Sequence, residues 1–222
     1  MIKKVVFLII FYPSIIVAQS SGLGSWNIIN VKYVINEKLS LFSEAQLRSL
    51  RFYSNFHYHE IKGGVNFALN DHILFTLAGG NYQTYSENGN FALPKNNNEV
   101  RLWPQFTLYQ KIGYLKIEHR YRAEIRFTSN GYRNRFRYRL GITHPLSFSD
   151  SSKTKLYLTC NNELFFTDNE PYFERNRSFI GIQFKATKKS TLQLGYIHQF
   201  DYKINDETGQ DFISIGYILT IK

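Results

Sequence analysis

Charged and apolar side chains alternate strictly in the middle of the chain. The segment YLKIEHRYRAEIRF, residues 114–127, carries a charged residue at every second position from 116 to 126. A repeat of two residues is that of a β-strand, in which successive side chains point to opposite faces. About 9 to 11 tilted strand residues are enough to cross a bilayer. We therefore interpret the segment as a membrane-spanning strand with one charged face and one apolar face.

Similar alternating segments, separated by turn signals, occupy most of the chain, and no stretch has a convincing helical period. The predicted strands cover residues 24–35, 39–51, 57–69, 72–83, 99–110, 114–127, 133–144, 154–166, 175–186, 191–202 and 211–221. Short turns alternate with longer polar loops, of which residues 84–98 form the longest, and such asymmetry is typical of outer-membrane barrels. The predicted fold class is all-β, an antiparallel transmembrane β-barrel of the outer-membrane type.

The number of strands needs a further assumption. The segments number eleven, whereas a single-chain barrel of this type normally has an even number of strands. We therefore expect twelve strands, with ten as the second choice. A missing strand would lie near Ser20–Leu23 or within residues 84–98.

The first residues have the pattern of an export signal. Lys3 and Lys4 precede an apolar stretch, and the small residue Ala18 follows it. This predicts a secretory signal peptide over residues 1–18, cleaved before Gln19, which leaves residues 19–222 as a single barrel domain. A transmembrane anchor is the alternative, but Pro13 interrupts a stretch well short of the roughly 18 apolar residues that a spanning helix needs.

Composition and charge indicate which classes of binding partner to expect. The formal net charge is +10, and aromatic residues make up 17% of the chain, which suits the interfacial girdles of a membrane barrel. For an exported basic protein we expect a membrane surface or an anionic solute as partner, and no nucleic acid. A single cysteine, Cys160, excludes an intramolecular disulfide and a cysteine-based zinc site.

The alternation divides the side chains into a lipid-facing set and an inward set. A charge at the middle of the lipid face would cost about 2 to 4 kcal/mol, so we assign the charged face to the interior. The predicted interior charge cluster consists of Glu99, Arg101, Glu118, Arg120, Arg122, Glu124, Arg126, Arg135, Arg137, Arg139, Glu163, Arg175 and Arg177. One interpretation is structural, with arginines pairing with the acids to fill the barrel. The other is an anion-selective interior or a site for a phosphate or carboxylate.

Catalysis on the outer face is an alternative function. In the phase assigned above, His119, His144, His198 and Ser178 face outward. A lipid hydrolase or acyltransferase also needs a carboxylate or amide to orient the histidine, and we expect no outward carboxylate beside them. The sequence thus predicts no catalytic residue. His57 and His59 make only a weak metal pair, so no metal and no cofactor is expected.

Several motifs resemble one bacterial family. They are VRLWPQ (100–105), EHRYRAEIRF (118–127), RFRYRLG (135–141), NELFF (162–166), FERNRSFIGI (173–182) and LGYIHQ (194–199), with an early Trp26. Over essentially the whole mature chain they resemble the uncharacterised barrels filed as domain of unknown function 2490. The resemblance implies an outer-membrane location in Gram-negative bacteria. It implies no activity, so no catalytic residue is carried over.

These observations combine into one functional expectation. We expect a monomer in the outer membrane of a Gram-negative bacterium, acting as a narrow, anion-preferring channel or as an envelope structural or binding protein. Its partners would be outer-membrane lipids, the barrel-assembly machinery during biogenesis, and small anionic solutes. The alternatives are a lipid-modifying enzyme that works from the lipid-facing surface and a soluble, lipocalin-like periplasmic carrier. The continuous apolar outward face argues against the carrier.

Overall fold

The chain forms a closed β-barrel. The computed structural model describes residues 20–87, 89–146, 155–204 and 207–222, so the predicted signal peptide lies outside the described residues. The strands are β1 (Ser20–Val34), β2 (Leu39–Arg51), β3 (Ser54–Asn70), β4 (Ile73–Ser86), β5 (Ala92–Ile112), β6 (Leu115–Thr128), β7 (Gly131–Pro145), β8 (Leu156–Thr167), β9 (Phe173–Lys185), β10 (Ser190–Asp201) and β11 (Thr208–Ile221). Within the described ranges, no helix is long and apolar enough to cross a membrane.

The barrel has eleven strands, so the expectation of twelve or ten was wrong. Each strand pairs with its sequence neighbours in antiparallel fashion, and β1 pairs with β11 in parallel. In such a sheet the number of strands is even only when the first and last strands run in opposite directions and pair in antiparallel fashion. Here they run in the same direction, and a parallel ladder from Gly24↔Phe212 to Tyr33↔Ile221 closes the sheet. Odd numbers of strands are known among transmembrane barrels.

In the described residues, neither region suggested for an extra strand holds one. Ser20–Leu23 is the beginning of β1. Most of residues 84–98, expected to be the longest loop, extend the hairpin, since β4 runs to Ser86 and β5 begins at Ala92. The polar run KNNN has the composition of a loop, but antiparallel pairing continues through it, as in Asn97↔Thr84 and Asn98↔Gln83.

The two rims of the barrel are defined by the connections they carry. The Ser20 rim, where β1 begins, is the end from which the chain leaves β2, β4, β6, β8 and β10. The Ile221 rim, where β11 ends, is the end from which it leaves β1, β3, β5, β7 and β9. The expected contrast between short turns and long loops is therefore weak, because both rims have two-residue connections.

The outward face is an apolar belt between aromatic residues. Ile61, Leu77 and Leu194, each near the middle of the outer wall, are 63%, 59% and 59% exposed. Exposed aromatic residues lie near both rims. At the Ser20 rim they are Phe52, Tyr53, Phe127, Tyr132 and Tyr172, and at the Ile221 rim they are Tyr33, Phe67, Tyr114 and Phe184. A soluble monomer rarely exposes a continuous apolar surface of this extent.

Part of the interior is filled by apolar side chains next to the closing ladder. Trp26 of β1 meets Phe212 of β11 edge to face, with ring centroids 5.4 Å apart, and Phe179 and Ile197 complete this cluster. The Phe179 ring lies against the inner wall at Gly195, where an added Cβ would come within 2.5 Å of Phe179 Cε2. Glycine is required there because only a residue without a side chain leaves room for the ring.

We expect the Gly195→Ala variant to be less stable than the wild type by about 1 to 3 kcal/mol, the usual cost of overpacking. Gly141→Ala is the matched control, because Gly141 also faces inward and its added Cβ would meet no atom closer than 3.6 Å. Urea unfolding of the refolded protein in detergent, followed by tryptophan fluorescence, measures both. If both variants unfold at the same midpoint urea concentration, the packing of Phe179 does not require a glycine at position 195.

Candidate functional site

The interior charges lie in rows that run around the inner wall. The strand registers place Arg120 opposite Arg139, Arg139 opposite Glu163, and Glu163 opposite Arg177. A second row begins with Arg122 opposite Arg137. Like charges that face each other across a ladder destabilise a sheet. The arrangement therefore depends on carboxylates that reach more than one arginine.

Glu163 is the first of these shared carboxylates. Its Oε1 lies 2.5 Å from Arg120 Nη2 and 2.8 Å from Arg137 Nη2, and its Oε2 lies 3.8 Å from Arg177 Nη1. Glu163 is 4% exposed, so these contacts lie in the protected interior. One negative charge is thus shared by three guanidinium groups, and the neighbourhood of Glu163 has a surplus of positive charge.

Glu124 is the second shared carboxylate and is 1% exposed. Arg135 Nη2 lies 2.6 Å from its Oε2, and Arg137 Nη1 lies 2.6 Å from its Oε1, with Arg122 Nη1 3.4 Å away. Since Arg137 contacts both Glu163 and Glu124, it joins the two groups. Hydrogen bonds from guanidinium groups to a carboxylate are charge-assisted and therefore stronger than neutral ones.

A third group lies toward the Ser20 rim. Arg101 donates from Nε to Glu99 Oε1 at 2.7 Å and from Nη2 to Oε2 at 2.8 Å, and Arg126 also contacts Glu99. Glu174 then accepts from Arg135 Nη1 at 3.0 Å and lies 3.4 Å from Arg126 Nη1. The network is therefore continuous from Glu99 through Glu174 and Glu124 to Glu163.

Twelve of the thirteen residues predicted from the sequence line one interior cavity of about 1580 Å³, and the other, Glu124, lies beneath them. The prediction omitted six charged residues that also form ion pairs in the interior, namely Glu44, Arg48, Glu60, Lys62, Glu174 and Asp201. The first four alternate along β2 and β3 with the same period of two, which could have revealed them. Glu174 and Asp201 lie at strand ends, where the alternation gives little signal.

The interior network is cationic. Its ion pairs in the described ranges involve eleven cations and eight anions, a balance of +3. Arg48 Nε, Arg139 Nε and Trp103 Nε1 are buried donors with no acceptor in the part of the chain that the structure describes. The interior therefore offers more positive charge and more N–H donors than its own carboxylates use.

Aromatic rings lie against several of the interior guanidinium groups. The Arg48 guanidinium lies 3.4 Å from the centroid of the Trp26 ring, and Arg177 lies 4.6 Å from the same centroid. Phe165 lies beneath Arg137 at 4.5 Å and Arg177 at 5.0 Å. Cation–π attraction of this kind is worth about 0.5 to 2 kcal/mol. The rings support guanidinium groups that share a carboxylate with others.

The outer face differs from the sequence expectation in one respect. His119 Nδ1 lies 2.9 Å from Tyr138 Oη, with no carboxylate in that contact. His198 Nδ1, however, lies 2.7 Å from Asp211 Oδ1. The expectation that no outward carboxylate accompanies these histidines was therefore wrong. The alternation that places Ile213 and Ile215 outside also places Asp211 outside, so the sequence does carry a signal for this carboxylate.

No metal centre is evident in the described ranges, where no three His, Cys, Asp or Glu side chains are grouped to hold an ion. His57 and His59 are separated by their contacts. His57 lines the interior cavity, whereas His59 Nε2 lies 3.2 Å from Tyr85 Oη.

At the Ser20 rim, a hydrogen bond from Asn134 Nδ2 at 2.7 Å lowers the pKa of Asp168, which adds a negative charge beside the cavity mouth.

Comparison with known proteins gave one match. A family model described as "Protein of unknown function (DUF2490)" matches residues 23–210. No curated protein and no solved structure matches the chain. The match covers all of the interior charge network described above. The resemblance inferred from the strand motifs is confirmed.

We expect Glu124→Gln to destabilise the barrel by about 3 to 5 kcal/mol, because it leaves buried guanidinium groups without their carboxylate. Adding Arg135→Met should recover part of the loss, since one of those guanidinium groups is then removed. Urea unfolding of the three proteins measures the effect. Glu37→Gln, at an exposed turn position, is the control and should change the stability by less than about 0.5 kcal/mol. An equally small effect at Glu124 would contradict the shared-carboxylate account.

Proposed function

The chain belongs to the DUF2490 family of proteins of unknown function, and we propose that it is an outer-membrane β-barrel whose arginine-lined interior is a narrow, anion-preferring passage. The observation that carries the proposal is the cavity of about 1580 Å³, whose charged lining has more cations than anions. The membrane location, the passage and the preference for anions are each supported by a different part of the molecule.

The outer face supports a location in a membrane. Its aliphatic belt is bounded at each rim by exposed aromatic residues, which is the distribution found where strands meet lipid and its two interfaces. The closed sheet leaves no strand edge unpaired, as a hydrocarbon environment requires. A lipocalin-like carrier in water would expose the same belt to solvent, which is unfavourable. The predicted signal peptide provides the export route.

The extent of the cavity supports a passage. Its lining includes Lys32 and Ile218 near the Ile221 rim and Glu87, Asp168 and Lys203 near the Ser20 rim. The cavity therefore extends along most of the barrel axis rather than forming a pocket at one end. Polar groups line it throughout, so small hydrated solutes are better suited to it than apolar ones.

The sharing of carboxylates supports a preference for anions. Arg120, Arg137 and Arg177 all contact Glu163, and although Arg137 also contacts Glu124, that carboxylate is itself shared with Arg122 and Arg135. An anion that reaches this level therefore meets positive charge that the protein has not neutralised. Rings of arginine act as selectivity elements in anion and phosphate pores. Their guanidinium groups also match the geometry of phosphate and carboxylate oxygens.

A second candidate is an envelope barrel with a closed interior and a structural role. It is favoured by large side chains that are almost fully buried inside, since Trp103 and Phe165 are each 1% exposed and Arg135 is 2% exposed. In that case the charge network would stabilise the barrel, and no ions would pass through the interior. Electrical measurements separate this candidate from the passage.

We expect the refolded mature chain to give stable single-channel steps in planar bilayers, with an anion preference visible in the reversal potential under a salt gradient. The test variant is Arg120→Gln with Arg177→Gln. It lowers the balance of the network from +3 to +1 and leaves Glu163 paired with Arg137. The reversal potential of this variant should shift toward the value for no selectivity.

The control for charge is Lys188→Gln with Lys189→Gln, which removes two cations from an exposed connection at the Ile221 rim. It should keep the anion preference of the wild type. A correctly folded wild-type barrel that stays electrically silent would reject the passage and support the structural candidate. Channels without anion preference would reject the role of the arginines.

A further inference from the structure

Four polar residues form a row across the outer face of four neighbouring strands. The registers pair Asn162 of β8 with Ser178 of β9, Ser178 with His198 of β10, and His198 with Asp211 of β11. The alternation along the sequence places Ser178 and His198 on the outer face but does not show that they are direct cross-strand neighbours. The strand register alone brings a hydroxyl, an imidazole and a carboxylate together.

The members of the row are held by hydrogen bonds. His198 Nδ1 lies 2.7 Å from Asp211 Oδ1, and Tyr196 Oη donates to the same oxygen. On the other side, Asn162 Nδ2 donates to Ser178 Oγ at 2.9 Å. A carboxylate at Nδ1 keeps the ring proton on that nitrogen, which makes Nε2 the basic nitrogen of the neutral imidazole.

The order of the groups matches the requirements of acyl transfer. Directly opposite residues of an antiparallel pair have Cβ atoms about 4.5 to 5.5 Å apart, so rotation of the Ser178 side chain can bring Oγ toward Nε2 while His198 stays on Asp211. Nucleophile, base and orienting carboxylate then follow one another, as in a serine hydrolase. We propose that Ser178 and His198, with Asp211 as a positioning residue, form a site on the outer face that hydrolyses acyl esters of membrane lipids.

The position of the row supports a lipid as substrate. His198 and Asp211 each lie three residues from the strand end at the Ser20 rim, or about 10 Å along the strand. On the side toward the Ile221 rim, Ile180 and Leu194 begin the exposed apolar wall. An ester group at the level of Ser178 could thus lie at the edge of the apolar belt, with its acyl chain along that wall. This step rests on the membrane location proposed above, but not on conduction through the interior.

The reaction is balanced with water as the second reactant. Ser178 Oγ attacks the carbonyl carbon while His198 Nε2 takes the hydroxyl proton, and the Asn162 amide N–H donates to the developing oxyanion. The bond from the carbonyl carbon to the alcohol oxygen breaks, and the imidazolium returns the proton to that oxygen. Water, deprotonated by His198, then attacks the acyl-serine and releases a carboxylic acid and the free hydroxyl of Ser178.

The experiment measures release of fatty acid by the full mature barrel in detergent. The probes are phosphatidylethanolamine in mixed micelles and a p-nitrophenyl ester of a long-chain fatty acid. The wild type should hydrolyse at least one of them. Ser178→Ala should lower the rate at least about a thousandfold, and His198→Asn at least about a hundredfold. For Asp211→Asn, kcat should fall while KM stays close to that of the wild type, because this side chain orients the base and does not touch the substrate.

His119→Asn is the matched control, since His119 faces outward on β6 and is held by Tyr138. It should keep the wild-type rate. A fluorophosphonate probe followed by mass spectrometry should label Ser178 in the wild type and not in His198→Asn, which tests the nucleophile without relying on turnover. A folded wild type with neither hydrolysis nor labelling would overturn the proposal, and so would full activity in Ser178→Ala. In either case the row would serve only to pair polar side chains at the edge of the belt.

Discussion

The ladder between β1 and β11 completes a cylinder in which every strand has two hydrogen-bonded neighbours. Because successive side chains of a strand alternate between its faces, closure divides the chain into an inner and an outer surface. The division holds around the whole circumference, including the parallel seam. Trp26 and Phe212, on the two strands of that seam, both point inward and pack together. The separation of charged and apolar side chains depends on this closure.

Inside the cylinder, arginines outnumber acids, and the strand register places several of them face to face. Glu163 and Glu124 compensate by contacting three arginines each. Aromatic rings such as Phe165 and Trp26 lie beneath guanidinium groups that no carboxylate fully neutralises. Desolvation of charge is costly, so a network of this kind requires multiple partners for each ion. The same sharing leaves the interior ion pairs with more cations than anions.

The outer surface carries a different chemistry on the same strands. Ile180 of β9 and Leu194 of β10 belong to an apolar wall. Two residues farther toward the Ser20 rim on each strand, Ser178 and Tyr196 begin a polar region. An inner network and an outer row can coexist on β9 because neighbouring residues face opposite sides. Arg177 contacts Glu163 inside while Ser178 accepts a hydrogen bond from Asn162 outside. The wall of the barrel therefore separates two regions that could function independently.

The sequence by itself determined the all-β barrel class, the eleven alternating segments and the inward face of the arginines, because a period of two requires only local backbone geometry. It did not determine the number of strands in the closed sheet, since parallel closure depends on residues 24–33 meeting 212–221, far apart in the chain. It also did not determine which arginines share Glu163 or that Asp211 lies beside His198. Those contacts arise from register between strands, and register is decided only when the whole cylinder forms and each strand must fit both neighbours.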